Sequence, residues 1–178
     1  MLPTASMTTT SPLGPLIVTA QMGPADQAWA EGLRQAHFPP ERNQVPAHIS
    51  LFHHLPPSMV DELRALLASL AASPRPAANL TEVFSLGRGV ALKLNSPELL
   101  AIRTEIAERF EHHLTPQDRA TPRLHITVQN KVDPAQARAT LDLLRAQISP
   151  RPLSIAALML WSYRGGPWDL VSRHPFRG

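Results

Sequence analysis

The chain contains no cysteine, which excludes disulfide staples and thiolate-bound metal, and makes a reducing, cytoplasmic setting the expectation. Lysine is nearly absent: Lys93 and Lys131 stand alone, and arginine carries the remaining positive charge. There is 1 tyrosine. Because arginine stays protonated and little else titrates at alkaline pH, a pI near 10.2 overstates a net charge of only +3. No basic run marks a long nucleic-acid track. No apolar stretch approaches the roughly 20 residues of a membrane span. The opening "MLPTASMTTTSPLGP" has neither a basic n-region nor an apolar core, so no secretory signal is read there, and residues 1–14 are expected to form a disordered tail.

What remains is 178 residues, 43% of them hydrophobic, enough for one domain with a sizeable core. "LIVTAQM" and "AHISLFH" have the branched and aromatic content of strands. Helices are expected where Met59, Leu63, Leu66, Leu67 and Leu70, and again Leu99, Ile102, Ile106 and Phe110, recur at helical spacing. A strand–helix–His-strand–helix–strand order runs through the first half and returns in the second, with "VALKLN" opening the repeat.

The repeat is anchored on two tetrapeptides, His48-Ile49-Ser50-Leu51 and His125-Ile126-Thr127-Val128, 77 positions apart (125 minus 48). Pro57 follows the first histidine by nine residues and Pro134 the second by nine; Gly87 and Arg164, each in a glycine-containing turn, follow by 39. The expected architecture is α+β: a single bilobal domain over 15–178, whose halves meet near 89–97. Two antiparallel-rich sheets with outer helices are related by a pseudo-twofold axis and flank a central cleft.

Alternate residues of a strand share a face. Ile49, Leu51, Ile126 and Val128 should bury, leaving His48 with Ser50, and His125 with Thr127, facing the cleft. By the same alternation Phe52, His54 and Lys131 join that face. Phe52 there could stack a base or, equally, be core. Two imidazoles suit a phosphodiester, one neutral as general base and one protonated as general acid. The hydroxyls can donate to the non-bridging oxygens. A strained cyclic phosphodiester needs no metal, and no cofactor is expected. Arg88 and Arg164, in corresponding turns, are more simply read as solvated.

The twin His-hydrophobic-Ser/Thr-hydrophobic signature resembles that of the 2H phosphoesterase superfamily, specifically the bacterial 2′-5′ RNA ligase-like proteins. The resemblance extends from about Leu16 onward. It implies a bilobal cleft, no cofactor, and the opening of 2′,3′-cyclic phosphates on RNA ends or nucleotides to 2′-phosphates, with 2′-5′ joining of RNA in some members. It assigns His48 and His125 as the acid/base pair and Ser50 and Thr127 as phosphate clamps. The arginine that often follows the second motif is replaced by Gln129-Asn130-Lys131, which leaves Lys131 as the substitute cation. A monomer acting away from membranes is expected. Two alternatives stand beside this reading: a non-catalytic module binding RNA ends or nucleotides, and a phosphodiesterase for another nucleotide such as ADP-ribose cyclic phosphate.

Overall fold

The computed structural model of the protein describes residues 12–178; the expected tail therefore lies largely outside the described residues. Within these, seven strands and five helices follow one another in the anticipated repeat. The first half runs β1 (Leu16–Met22), α1 (Pro24–His37), β2 (Ile49–Leu55), α2 (Val60–Ala71) and β3 (Ala77–Ser85). The second runs β4 (Val90–Asn95), α3 (Pro97–Arg109), a single-turn α4 (Pro116–Arg119), β5 (His125–Gln129), α5 (Pro134–Gln147) and β6 (Arg151–Ser162). A last strand, β7 (Asp169–Pro175), pairs back onto β6.

Helix starts obey local chemistry. Pro24, Pro97, Pro116 and Pro134 each occupy a first-turn position, where their missing N–H costs nothing. Ser96, Thr115 and Asp133 cap three of these helices by accepting from Leu99, Asp118 and Gln136 backbone N–H groups. The stretch 115–123, which carries no apolar period and reads as loop, contains α4 because the Thr115 cap and Pro116 suffice to start one turn. In α1 the buried positions are Ala30 and Arg34, with Trp29 and Leu33 only half-buried.

All strand pairs are antiparallel, and the main path runs β2-β1-β6-β3-β4-β5. The repeats exchange strands: β3 closes the first and pairs with β4 of the second, while β6 closes the second and pairs with β1 of the first. The 12-residue β6 binds β3 through Arg151–Ser154 and β1 through Ile155–Ser162, so it belongs to both halves. Although β2 and β5 end the path, the sheet curls until they touch. The helices cross over too, with α1 packing on β5 and α4 on β2.

One apolar core, running from Leu16 on β1 to Phe176, joins both halves. A satellite cluster of Ile17, Met159 and Trp161, with Trp168 against it, lies on the other face of β1 and β6. Among the described residues no helix is long and apolar enough to cross a membrane.

Candidate active site

His125 begins β5 and His48 immediately precedes β2, the two strands at the ends of the sheet path. On β5, His125 pairs with Lys93 and Thr127 with Ala91, so imidazole and hydroxyl share a face. On β2, Ser50 pairs with Thr19 and Ile49 with Ala20, which carries His48 to the level of Gln21 on the face of Ser50. Ile49 and Ile126 are fully buried on the opposite side.

Both rings are fixed in the same way. His48 Nδ1 lies 2.7 Å from the Pro46 carbonyl, and His125 Nδ1 lies 2.6 Å from the Arg123 carbonyl, in each case two residues back along the chain. A carbonyl only accepts, so Nδ1 carries the proton and Nε2 is left free for chemistry in both rings. Burial pushes the His48 pKa down to about 4, and the charges of Arg34, His125 and His53 add to that lowering, against the Pro46 carbonyl, which raises it. The His125 charge is thus close enough to be felt at His48. The indole of Trp168 packs on the His48 ring with centroids 4.7 Å apart, and Phe84 meets His125 edge-on at 5.9 Å.

Strict alternation breaks at the fourth motif residue of both strands. Ser50 pairs with Thr19 but Phe52 with Val18, which leaves Leu51 as a bulge; Thr127 pairs with Ala91 but Gln129 with Val90, which leaves Val128 as a bulge. An extra residue turns its successors onto the other face. Phe52 is therefore fully buried in the core and does not face the cleft as alternation predicts. Gln129 is likewise buried and donates to Thr140 Oγ1 at 2.8 Å. Lys131 lies beyond the end of β5 with φ at 62°, lining a surface hollow with Glu41, Arg42 and Gln44, so its expected place beside His125 is also corrected. Lys93, one strand over, shares the face of His125, with its Nζ 3.7 Å from Glu82 Oε1.

Each bulge faces a buried arginine from the other repeat. Arg103 of α3 donates through Nε to the Leu51 carbonyl at 3.4 Å and through Nη2 to the Asp118 carbonyl, its guanidinium lying 4.5 Å from the Phe52 ring centroid. Arg34 of α1 donates through Nη1 to the Thr127 carbonyl at 2.8 Å and through Nε to Asn43 Oδ1 at 2.9 Å, and sits over Phe38 at 4.3 Å. Asp118 completes the first strand: its carboxylate accepts from the backbone N–H groups of His53 and His54, both at 2.9 Å, and from His53 Nδ1 at 3.1 Å. Burial raises the Asp118 pKa, but these donors outweigh it and the net direction is down.

Of the other residues weighed from sequence, Arg88 donates to the Val132 carbonyl and Arg164 pairs with Asp169. Tyr163 is exposed, and His54 contributes its backbone to Asp118. Among the described residues no three His, Asp or Glu side chains converge as a metal-binding group. Lys93, Trp168 and the buried arginines escape sequence reading. Only Lys93 has a signal, its place on the strand expected to open the second repeat; the contacts of the arginines cross 93 and 52 residues of sequence.

Beside His48 a cavity of about 240 Å³ opens between α1 and the cleft face of β1 and β6. A polar half-site around His125 and an apolar hollow beside His48 are thus joined across two touching strands.

A family model described as the 2′-5′ RNA ligase superfamily matches residues 23–167. The fold is similar to that of a crystallised phosphoesterase, at 16% identity and a TM-score of 0.61, covering 93% of this chain and 99% of that one. It is also similar to E. coli LigT complexed with NADP+, at 18% identity and a TM-score of 0.59, covering 94% of this chain and all of that one. TT0787 of Thermus thermophilus gives 15% identity and a TM-score of 0.57 over 92% and 98% of the two chains. E. coli LigT has further been crystallised with 3′-AMP and with ATP. At these identities the likeness is one of fold. Among curated proteins none matches the chain.

Proposed function

This chain belongs to the 2′-5′ RNA ligase superfamily, the 2H phosphoesterases, and from that premise we propose that it opens 2′,3′-cyclic phosphates of RNA ends or nucleotides to 2′-phosphates. The observation that supports this most directly is the matched pair of imidazoles, each with Nδ1 committed to a backbone carbonyl and Nε2 free. A binding module has no need of two such nitrogens.

The roles divide by environment. His48, with its pKa near 4, is neutral at physiological pH and serves as general base. Its Nε2 takes a proton from water as the water oxygen attacks phosphorus. The bond from phosphorus to the 3′-oxygen breaks, and the leaving oxygen takes the proton from His125 Nε2. The products are a 2′-monoester and a free 3′-hydroxyl. Ser50 and Thr127 hydroxyls donate to the non-bridging oxygens, where negative charge accumulates. Lys93, across from His125, is a cation on that side whose charge is shared with Glu82. With the 5′-hydroxyl of an RNA attacking phosphorus in place of water, and the 3′-oxygen leaving as before, the same groups form a 2′-5′ bond.

The test is turnover of nucleoside 2′,3′-cyclic phosphates, with phosphorus NMR to distinguish 2′- from 3′-monoester. His48→Ala and His125→Ala should each lose about 10²–10⁴ in rate, the usual worth of one positioned acid or base. Near-wild-type turnover in either variant, or abolition of activity by a chelator, overturns the proposal.

A further inference from the structure

We propose that Arg34 and Arg103 are positioning residues that hold the two half-sites in register with one another, an inference that rests on the phosphodiester reading above. Each acts through a motif hydroxyl of the opposite repeat: Arg34 of α1 through Thr127, and Arg103 of α3 through Ser50. β2 and β5 end the sheet path, so each has one ladder partner only. In both strands the register on that ladder shifts directly after the hydroxyl residue. A slip of one residue would turn Ser50 or Thr127 away from the cleft. A second fastening is supplied in both strands by an arginine. Arg34 Nη1 donates to the carbonyl of Thr127 itself. Arg103 Nε donates to the carbonyl of Leu51, next to Ser50. Its Nη2 donates to the Asp118 carbonyl, and the Asp118 carboxylate accepts from the backbone N–H groups of His53 and His54. β2 is thereby gripped on both sides of Phe52.

Stability alone does not account for two buried guanidinium groups. Arg34 is 2% exposed and Arg103 6%. Their hydrogen-bond acceptors are the Thr127, Leu51 and Asp118 carbonyls and Asn43 Oδ1, with no carboxylate among them. Burial lowers the pKa of both, the direction expected for a cation taken out of water. Apolar residues of similar volume often replace buried ions without loss of stability. What an apolar residue lacks is a directed donor, and the guanidinium fork is the most rigid donor a side chain offers. Each fork is further fixed by seating on a ring, Arg34 on Phe38 and Arg103 on Phe52. The arrangement is also reciprocal. The first repeat, which carries His48 and Ser50, braces the strand of His125 and Thr127, and the second repeat returns the contact. Each half-site thus leans on a helix of the other, and the spacing of the two hydroxyls is set by donors that reach across the repeat boundary.

Double-mutant cycles test this, because a residue that acts through another loses its effect when that other is removed. Arg34→Lys and Arg103→Lys keep a positive charge and remove the fork. Each is combined with Ser50→Ala and with Thr127→Val. Two quantities are read at neutral pH: kcat on a nucleoside 2′,3′-cyclic phosphate, and affinity for inorganic phosphate by calorimetry. A slackened hydroxyl should cost about tenfold in kcat, within the roughly 10²-fold that a misplacement of about 1 Å can cost. Arg103→Lys should show that loss in the wild-type and Thr127→Val backgrounds but about twofold or less in Ser50→Ala. Arg34→Lys should show the mirror pattern, and phosphate affinity should follow the same order. Asn43→Ala releases Arg34 Nε without touching Thr127; it should give a smaller loss that vanishes in Thr127→Val, and it decides the matter where a lysine variant does not fold. Full effects in both hydroxyl backgrounds, the additivity of a merely structural residue, overturn the proposal, as do wild-type rates in folded lysine variants. So do Ser50→Ala and Thr127→Val variants with unchanged turnover and phosphate affinity, since nothing is then positioned. The two readings fail separately. Absence of cyclic-phosphate turnover in the wild type sinks the phosphodiesterase, while the cycles on phosphate affinity still decide the braces. Turnover with additive cycles does the reverse.

Discussion

Replacing Arg34 by methionine perturbs two separable things. The side chain is buried and supplies the Thr127 carbonyl and Asn43 Oδ1 with their donors. Orphaning a buried acceptor costs about 1–3 kcal/mol; both acceptors here are only part-buried, so the pair should cost on the order of 2–4 kcal/mol. For a chain of this size that lowers Tm by about 5–15 °C. Arg34 also supplies a positive charge that opposes protonation of His48. Moving the His48 pKa from 6.5 to about 4 corresponds to about 3 kcal/mol against the imidazolium; burial provides the largest share and Arg34 a smaller one. In the wild type the acidic limb of log(kcat/KM) against pH should therefore fall near 4. In Arg34→Met it should move upward yet stay below 6.5. Arg34→Lys keeps the charge but not the fork, so it should lose stability while leaving the limb low. A wild-type limb near 6.5, or a limb that shifts equally in the Lys and Met variants, would refute this account of how His48 is kept neutral.

Other substitutions probe the core, the buried carboxylate and the phosphate clamps. Phe52→Ala should cost about 3–5 kcal/mol in a denaturant melt, the cost of a core cavity. Asp118→Asn offers an NH₂ group to a site filled by donors and should cost about 1–3 kcal/mol. Because the Asp118 carboxyl is depressed by folding, its contribution in the wild type is present above the unfolded pKa and lost as pH falls through the folded value; the variant should not show that loss. His48 gives a second linkage, of the base rather than the acid kind. Between 6.5 and about 4 the unfolded imidazole binds a proton that the native one refuses. Stability should fall as pH drops through that window, and His48→Gln should flatten the slope in pH-dependent urea melts. Ser50→Ala and Thr127→Val should each lower kcat by about 10², read by initial rates at saturating substrate.

Repeat order, strand identity and the two histidine–hydroxyl pairs are legible from local pattern alone, since alternation and motif spacing are short-range properties. Alternation holds through His48-Ile49-Ser50 and His125-Ile126-Thr127 and fails one step later. A bulge depends on what the neighbouring strand presents, here Val18 and Val90, and leaves no mark in the bulged strand itself. Alternation misplaces Phe52 and Lys131 for that reason. Arg34 and Arg103 look like ordinary helix-surface residues, because burial of a guanidinium becomes sensible only once an unpaired carbonyl from a distant strand is brought to it. The exchange of β3 and β6 between repeats is equally hidden, since the order of elements does not reveal which strand pairs with which.

That exchange makes the two halves mutually dependent for their edges. Severed at the Gly87–Gly89 turn, the N-terminal piece would carry a β1 lacking its β6 partner and the C-terminal piece a β4 lacking β3. Neither fragment closes its own hydrogen-bond ladder, whereas the two together restore every rung. A lone ancestral repeat would have met the same requirement by embracing a second copy of itself, each protomer lending its final strand and bringing one imidazole to a shared seam.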